Sequence, residues 1–211
     1  MEEQKIYIHR PFGPVICEFK ISDATINGLN KFVDSLESDS ELRKKLDYGK
    51  ALAGQVTEEI ALPEEISKKG IGPELSKAIS TYIKAATGKT ITKCFFKSIW
   101  IVRQFGNEYN PIHYHDGHLS GAGWLKIPKS FGPTIQKDKE NYNGKIQFIH
   151  GSTQFNSKSH FTVEPKVGLM FLFPAYLMHT VYPFYGDDER RSIAFNADID
   201  DSVYNVYSRG F

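Results

Sequence analysis

What most constrains the fold of this chain is a change in its hydrophobic rhythm near Cys94. From there on, apolar residues come in short runs rich in β-branched and aromatic side chains, with Gly, Pro, Asn and Asp between them. Eight runs read as strands: 95–104, 111–115, 119–127, 145–149, 161–163, 169–173, 179–182 and 190–197. Strands this short cannot bury their apolar faces singly, so they must pair into a jelly roll or a small barrel. Residues 130–143 lack such a period and read as a loop.

The part before Cys94 has a different period. Residues 15–19 are short and extended, and Ile26, Leu29, Phe32, Val33 and Leu36 then recur at helical spacing. Ser22 or Asp23 can cap that segment, which predicts a helix over 24–36. Leu42 and Leu46 suggest a short continuation, and residues 47–70 mix Gly, Pro and charge as a loop with brief helical turns. Pro73 suits a first helical turn, Leu75, Ile79, Tyr82, Ile83 and Ala86 form one apolar face, and Gly88 can end the helix. The expected architecture is mainly β with N-terminal helices. Residues 1–93 form a helical support region covering one sheet of a β core over 94–211, within a single domain spanning 1–211. With 40% hydrophobic residues the chain can bury a core of that size.

Charge narrows the partners. Lys plus Arg number 26 against 25 for Asp plus Glu, so there is no basic field for general nucleic-acid binding. The first residues lack the basic and then apolar segments of a secretory signal, and no apolar run approaches membrane-spanning length, so a cytoplasmic protein without membrane contact is expected. Cys17 and Cys94 lie far apart without a Cys-x-x-Cys pattern and read as reduced, buried thiols.

The chemistry concentrates in two places. Side chains two apart on a strand share a face, so His113 and His115 point together while Tyr114 points away. Two such imidazoles can hold one metal ion, and His179 on a neighbouring strand can add a third nitrogen. Asp116 offers the carboxylate common at non-haem iron, but alternation turns it from the histidines unless a bulge intervenes. The bland alternative is a set of hydrogen-bonded histidines at a sheet rim. Arg190 and Ser192 are also two apart, and a buried guanidinium there needs an anion, for which a dicarboxylate has the bidentate geometry. Its bland counterpart is a salt bridge to Asp187, Asp188 or Glu189. Arg191 falls on the opposite face, where solvent is the expected environment.

These motifs together carry a resemblance. His113-x-His115 followed by Leu119-Ser120-Gly121, then Leu172-Phe173-Pro174-Ala175-x-x-x-His179 and Glu189-Arg190-x-Ser192-Ile193-Ala194-Phe195-Asn196, resembles the 2-oxoglutarate and iron(II) dependent oxygenase superfamily. More narrowly, it is similar to a family of such oxygenases from bacteria and their phages, over roughly residues 100–197. The resemblance implies a double-stranded β-helix, that is, a jelly roll of cupin-like form. It makes His113 and His179 the proximal and distal iron ligands, and Arg190 and Ser192 the pair for the far carboxylate of 2-oxoglutarate. The superfamily's usual His-x-Asp would need an acid at 115, where this chain has His115, so the third ligand is His115 or Asp116. A His115-x-Gly117 pairing, similar to the His-x-Gly of halide-using relatives, is a weaker reading. Trp124 stands where relatives often have a tyrosine near the cosubstrate; a core aromatic is its other reading. The implied activity is an Fe(II) dioxygenase that uses 2-oxoglutarate and O2 to hydroxylate an unidentified substrate, with a lean to a peptidyl side chain such as proline. Two rivals remain: a three-histidine cupin-like metalloprotein that does not use 2-oxoglutarate, and a non-catalytic jelly-roll binding module.

Overall fold

The computed structural model describes residues 5–9 and 13–205. Its elements run β1 (Ile6–His9), β2 (Ile16–Lys20), α1 (Asp23–Ser35), α2 (Ser40–Lys45), β3 (Glu58–Ala61), α3 (Glu64–Lys69), α4 (Ile71–Thr87), β4 (Cys94–Gln104), β5 (Asn110–His113), β6 (Leu119–Lys126), β7 (Ile146–Ile149), β8 (His160–Val163), β9 (Leu169–Pro174), β10 (Met178–Val181), β11 (Arg190–Ile199) and α5 (Asp201–Tyr204). All eight expected strands are present, and they form two antiparallel sheets. The larger has the order β1-β2-β9-β6-β11-β4-β3, the smaller β5-β10-β7-β8. The two face each other as a jelly roll.

α1 begins where Ser22 Oγ accepts from the Thr25 amide at 3.3 Å. Its buried residues, Ile26, Leu29 and Val33, lie on one face. Burying each is worth roughly 1.5–3 kcal/mol, which outweighs the ~1 kcal/mol that Gly28 costs a helix interior. α4 buries Leu75, Ala78, Ile79, Tyr82 and Ile83 and ends at Gly88, whose φ of +73° suits a residue without Cβ. Both helices pack on the larger sheet, sharing a core with Ile193, Phe195 and Ala197 of β11. The opposite face of that sheet meets the smaller one through Trp124, Phe148, Phe171, Phe173 and Val181. The layers are therefore helices, large sheet, small sheet.

Three features depart from the sequence reading. The segment 47–70 contains β3, which pairs with the outer side of β4 with Glu59 opposite Val102. Four residues that begin with two acids carry little strand signal, so the pairing with β4 makes the strand. Arg191 is 1% exposed rather than in solvent. It is on the face of β11 opposite Arg190, as expected, but α1 covers that face. Its guanidinium bonds both oxygens of Glu189 at 2.8 and 2.9 Å, Asp34 Oδ1 at 2.8 Å and Asn30 Oδ1 at 3.0 Å. β1, at the far edge of the large sheet, was also not anticipated; it pairs with β2.

Candidate active site

The inner face of β11 is a row of alternate residues, each with a partner on the strands beside it. Arg190 lies opposite Gln104, Ser192 between Val102 and Trp124, Ala194 between Trp100 and Ala122, and Asn196 between Ser98 and Ser120. The small sheet adds His113 and His179, which are partners in the β5–β10 pairing. His115 follows the end of β5, where its amide donates to the Ala175 carbonyl at 2.9 Å. One donor nitrogen from each of His113, His115 and His179 lies within 4.8 Å of the others.

The outer nitrogens of these rings fix where the inner ones point. His113 Nδ1 donates to the Pro111 carbonyl at 2.7 Å, His179 Nδ1 to the Leu177 carbonyl at 2.9 Å, and His115 Nδ1 to Asn196 Oδ1 at 2.8 Å. With each Nδ1 hydrogen committed to an oxygen, each Nε2 presents a lone pair to the common centre. His115 Nε2 and His179 Nε2 are 3.1 Å apart. Two lone pairs at that distance repel, and a cation between the rings relieves the repulsion, so the donor set fits a metal ion. Burial lowers all three histidine pKa values, that of His115 to about 4 and that of His179 well below its usual value, with the charge of neighbouring imidazoles as the second cause for both. Neutral rings are the form that binds metal.

Asp116 stands apart from this group. It turns outward, its side chain 78% exposed, and one oxygen meets Lys97 Nζ at 2.7 Å while the other accepts from the Gly117 amide. The Lys97 hydrogen bond leads in holding its carboxyl below the usual range.

Arg190 is 3% exposed. It donates to Gln104 Oε1 at 3.0 Å and Ser192 Oγ at 3.3 Å, and its Cζ lies 5.7 Å from the centre of the Trp124 ring. Among the described residues its Nε has no partner, nor does the Trp124 Nε1, and none of Asp187, Asp188 and Glu189 bridges to it. Burial without an acid pushes its pKa down to about 9, which still leaves a cation at neutral pH. Arg190, Ser192, Trp124 and the three histidines line one narrow cavity of about 50 Å³. Two orphaned donors and a guanidinium without a counter-charge at one end, and three convergent nitrogens at the other, suit a dicarboxylate beside a metal. The cavity adjoins an outer cleft of about 720 Å³, and Trp100, Asn110, His113 and His115 line both.

Three supporting residues were not assigned roles from the sequence. Asn196 shares a face with Ser192, so strand alternation could have pointed to it. Trp100 stacks on His115 with ring centres 5.5 Å apart, and Gln104 meets Arg190 only through the β4–β11 register. Nothing local marks either one.

Comparisons with known proteins agree with this geometry. Residues 98–196 match the family described as "Putative 2OG-Fe(II) oxygenase". No curated protein matches the sequence. Among solved structures, a viral collagen prolyl hydroxylase from Paramecium Bursaria Chlorella virus-1, in complex with 2OG, aligns over 86% of this chain and 94% of its own, with a TM-score of 0.54 and 15% identity. A Pseudomonas putida prolyl-4-hydroxylase aligns over 86% and 91%, with a TM-score of 0.57 and 11% identity. A Trichoplax adhaerens prolyl hydroxylase, in complex with a hypoxia inducible factor peptide fragment, aligns over 92% and 87%, with a TM-score of 0.58 and 13% identity. At such identities the three likenesses speak for the fold, a jelly roll, and the matched segment speaks for the family. No described helix is long and apolar enough to cross a membrane. The segment that carries the histidines, Arg190 and Ser192 is thus similar to the 2-oxoglutarate- and Fe(II)-dependent oxygenases, a family whose members use Fe(II) and 2-oxoglutarate as cofactor and cosubstrate.

Proposed function

We propose that this chain is a 2-oxoglutarate- and Fe(II)-dependent hydroxylase in which His113, His115 and His179 hold Fe(II), while Arg190 and Ser192 receive the far carboxylate of 2-oxoglutarate. On this reading residues 94–211 are the catalytic core and residues 1–93 its support in one domain. Bound Fe(II) and 2-oxoglutarate supply the oxidising power that directs O2 at a substrate C–H bond. The chain supplies the rest. Pro111, Leu177 and Asn196 keep the Nδ1 protons in place, so the Nε2 atoms stay free for the metal. Gln104 and Ser192 aim the guanidinium, and Val102, Val181 and Ala194 help keep water from the inner cavity.

One observation carries the cosubstrate assignment: Arg190 is a buried cation with an orphaned Nε and, among the described residues, no acid partner, facing the same cavity as the histidines. A three-histidine protein without 2-oxoglutarate gives such a cation no partner. The substrate reading is a peptidyl side chain such as proline. It is supported by an outer cleft much wider than the inner cavity and by the names of the fold neighbours, one of them seen with a peptide.

An anaerobic titration tests the assignment. Fe(II) followed by 2-oxoglutarate should give a visible charge-transfer absorption band at one equivalent of each. Iron binding without the band would point to the cupin-like metalloprotein, and no iron binding would point to a non-catalytic module.

A further inference from the structure

Glu59 lines the outer cleft and is 3% exposed, yet among the described residues its Oε1 has no hydrogen-bond partner. The loop before β3 closes over this carboxylate: a Cβ on Gly54 would come within 2.7 Å of Oε1. Its surroundings are apolar or acidic. Tyr48, Leu52 and Trp100 share the cleft wall, and burial, followed by the negative charge of Asp47, raises the Glu59 pKa to about 7. Lys97, the lysine of the cleft, is engaged with Asp116 at 2.7 Å and with Asp198 at 3.9 Å. A buried carboxylate without a partner is costly, and the missing partner is a cation or another strong donor.

The aromatic rings decide between these. Tyr48 and Trp100 lie with ring centres 6.1 Å apart and tilted by 49°. Electron-rich ring faces beside a carboxylate favour a cationic nitrogen over a neutral donor. Trp100 also stacks on His115, so one indole joins the acidic end of the cleft to the histidine cluster. A ligand that spans Trp100 touches both.

We propose that Glu59 is a substrate-recognition residue that takes the cationic side chain of a lysine or arginine in a peptide whose oxidised residue lies over His113, His115 and His179. This rests on the oxygenase reading of the histidines and adds to it the charge of the substrate. Asp47 strengthens the preference at longer range, and Tyr48 and Trp100 flank the alkyl stem and head group.

Two probes that differ only in the terminal ammonium test it, N-acetyl-prolyl-lysinamide and N-acetyl-prolyl-norleucinamide, titrated against the full chain with tryptophan fluorescence as readout. Trp100 lies in the cleft wall, so a ligand bound there alters that signal. The lysine probe should bind about tenfold or more tightly than the norleucine probe, and Glu59→Gln should erase the difference. Equal binding of the two, no binding of the lysine probe, or a preference that survives Glu59→Gln overturns the proposal. The wild-type comparison is decisive by itself if the variant does not fold. 2-Oxoglutarate binding to the wild type is measured in parallel. If it fails while the lysine preference stands, the oxygenase reading falls and the cation site remains.

Discussion

Each histidine of the cluster is prepared by a different neighbour, two by carbonyls close to them in the chain and His115 by Asn196 from across the sheet. That makes His115 the proposed ligand most dependent on tertiary structure, and Asp116 beside it the natural rival. Replacing His115 by Ala should reduce Fe(II) affinity by tenfold or more, on the order of 1.4 kcal/mol, because one of three donors is lost. Replacing Asp116 by Ala should leave it nearly unchanged, since that carboxylate is tied to Lys97 at the surface. Metal analysis of the two purified variants checks this, and iron retained by His115→Ala but lost from Asp116→Ala would reverse the assignment. Strand alternation made the shared face of His113 and His115, and of Arg190 and Ser192, legible in the sequence. The direction of Asp116 was not, because it depends on how the chain leaves β5.

At the level of elements, β11 serves both of its faces. Its inner residues build the site, and its outer residues anchor α1. The anchor is an ionic knot: Glu189 accepts from Arg191, Arg103 and Lys126, and Arg103 also reaches Glu58 of β3 and Glu37 after α1. Burial alone would raise the Glu189 pKa, but the hydrogen bonds of Arg191 and Arg103 hold it at about 2. A carboxyl depressed in the folded state stabilises the fold fully above its unfolded value of about 4.5, and the contribution is lost as pH falls through about 2. Arg191→Lys removes the forked contacts and should cost roughly 2–4 kcal/mol at pH 7, read from urea unfolding, with the gap to wild type narrowing towards pH 2. An unfolding midpoint that does not move would show that the knot holds nothing. The sequence told which face Arg191 takes. It could not tell that α1 and its acids cover that face, since Asp34 and Asn30 lie far away in the chain.

For the whole molecule, the β segments, α1 and α4 were legible because each carries its own period. The outer cleft was not, because what closes it over β4, β5 and β11 comes from parts without a period: the loop at 48–53, β3, the turn at 114–117 and Tyr204 of α5. The inner cavity lies where the two sheets meet, and its character follows from one charge left without a partner. That charge gives the most direct test of the account, isothermal titration of 2-oxoglutarate into wild type and Arg190→Lys, each loaded anaerobically with Fe(II). A lysine keeps the charge but cannot make the bidentate contact, so 2-oxoglutarate should bind well over tenfold more weakly, a loss of about 2–5 kcal/mol, with iron affinity nearly intact. Unchanged 2-oxoglutarate affinity in Arg190→Lys would contradict the account.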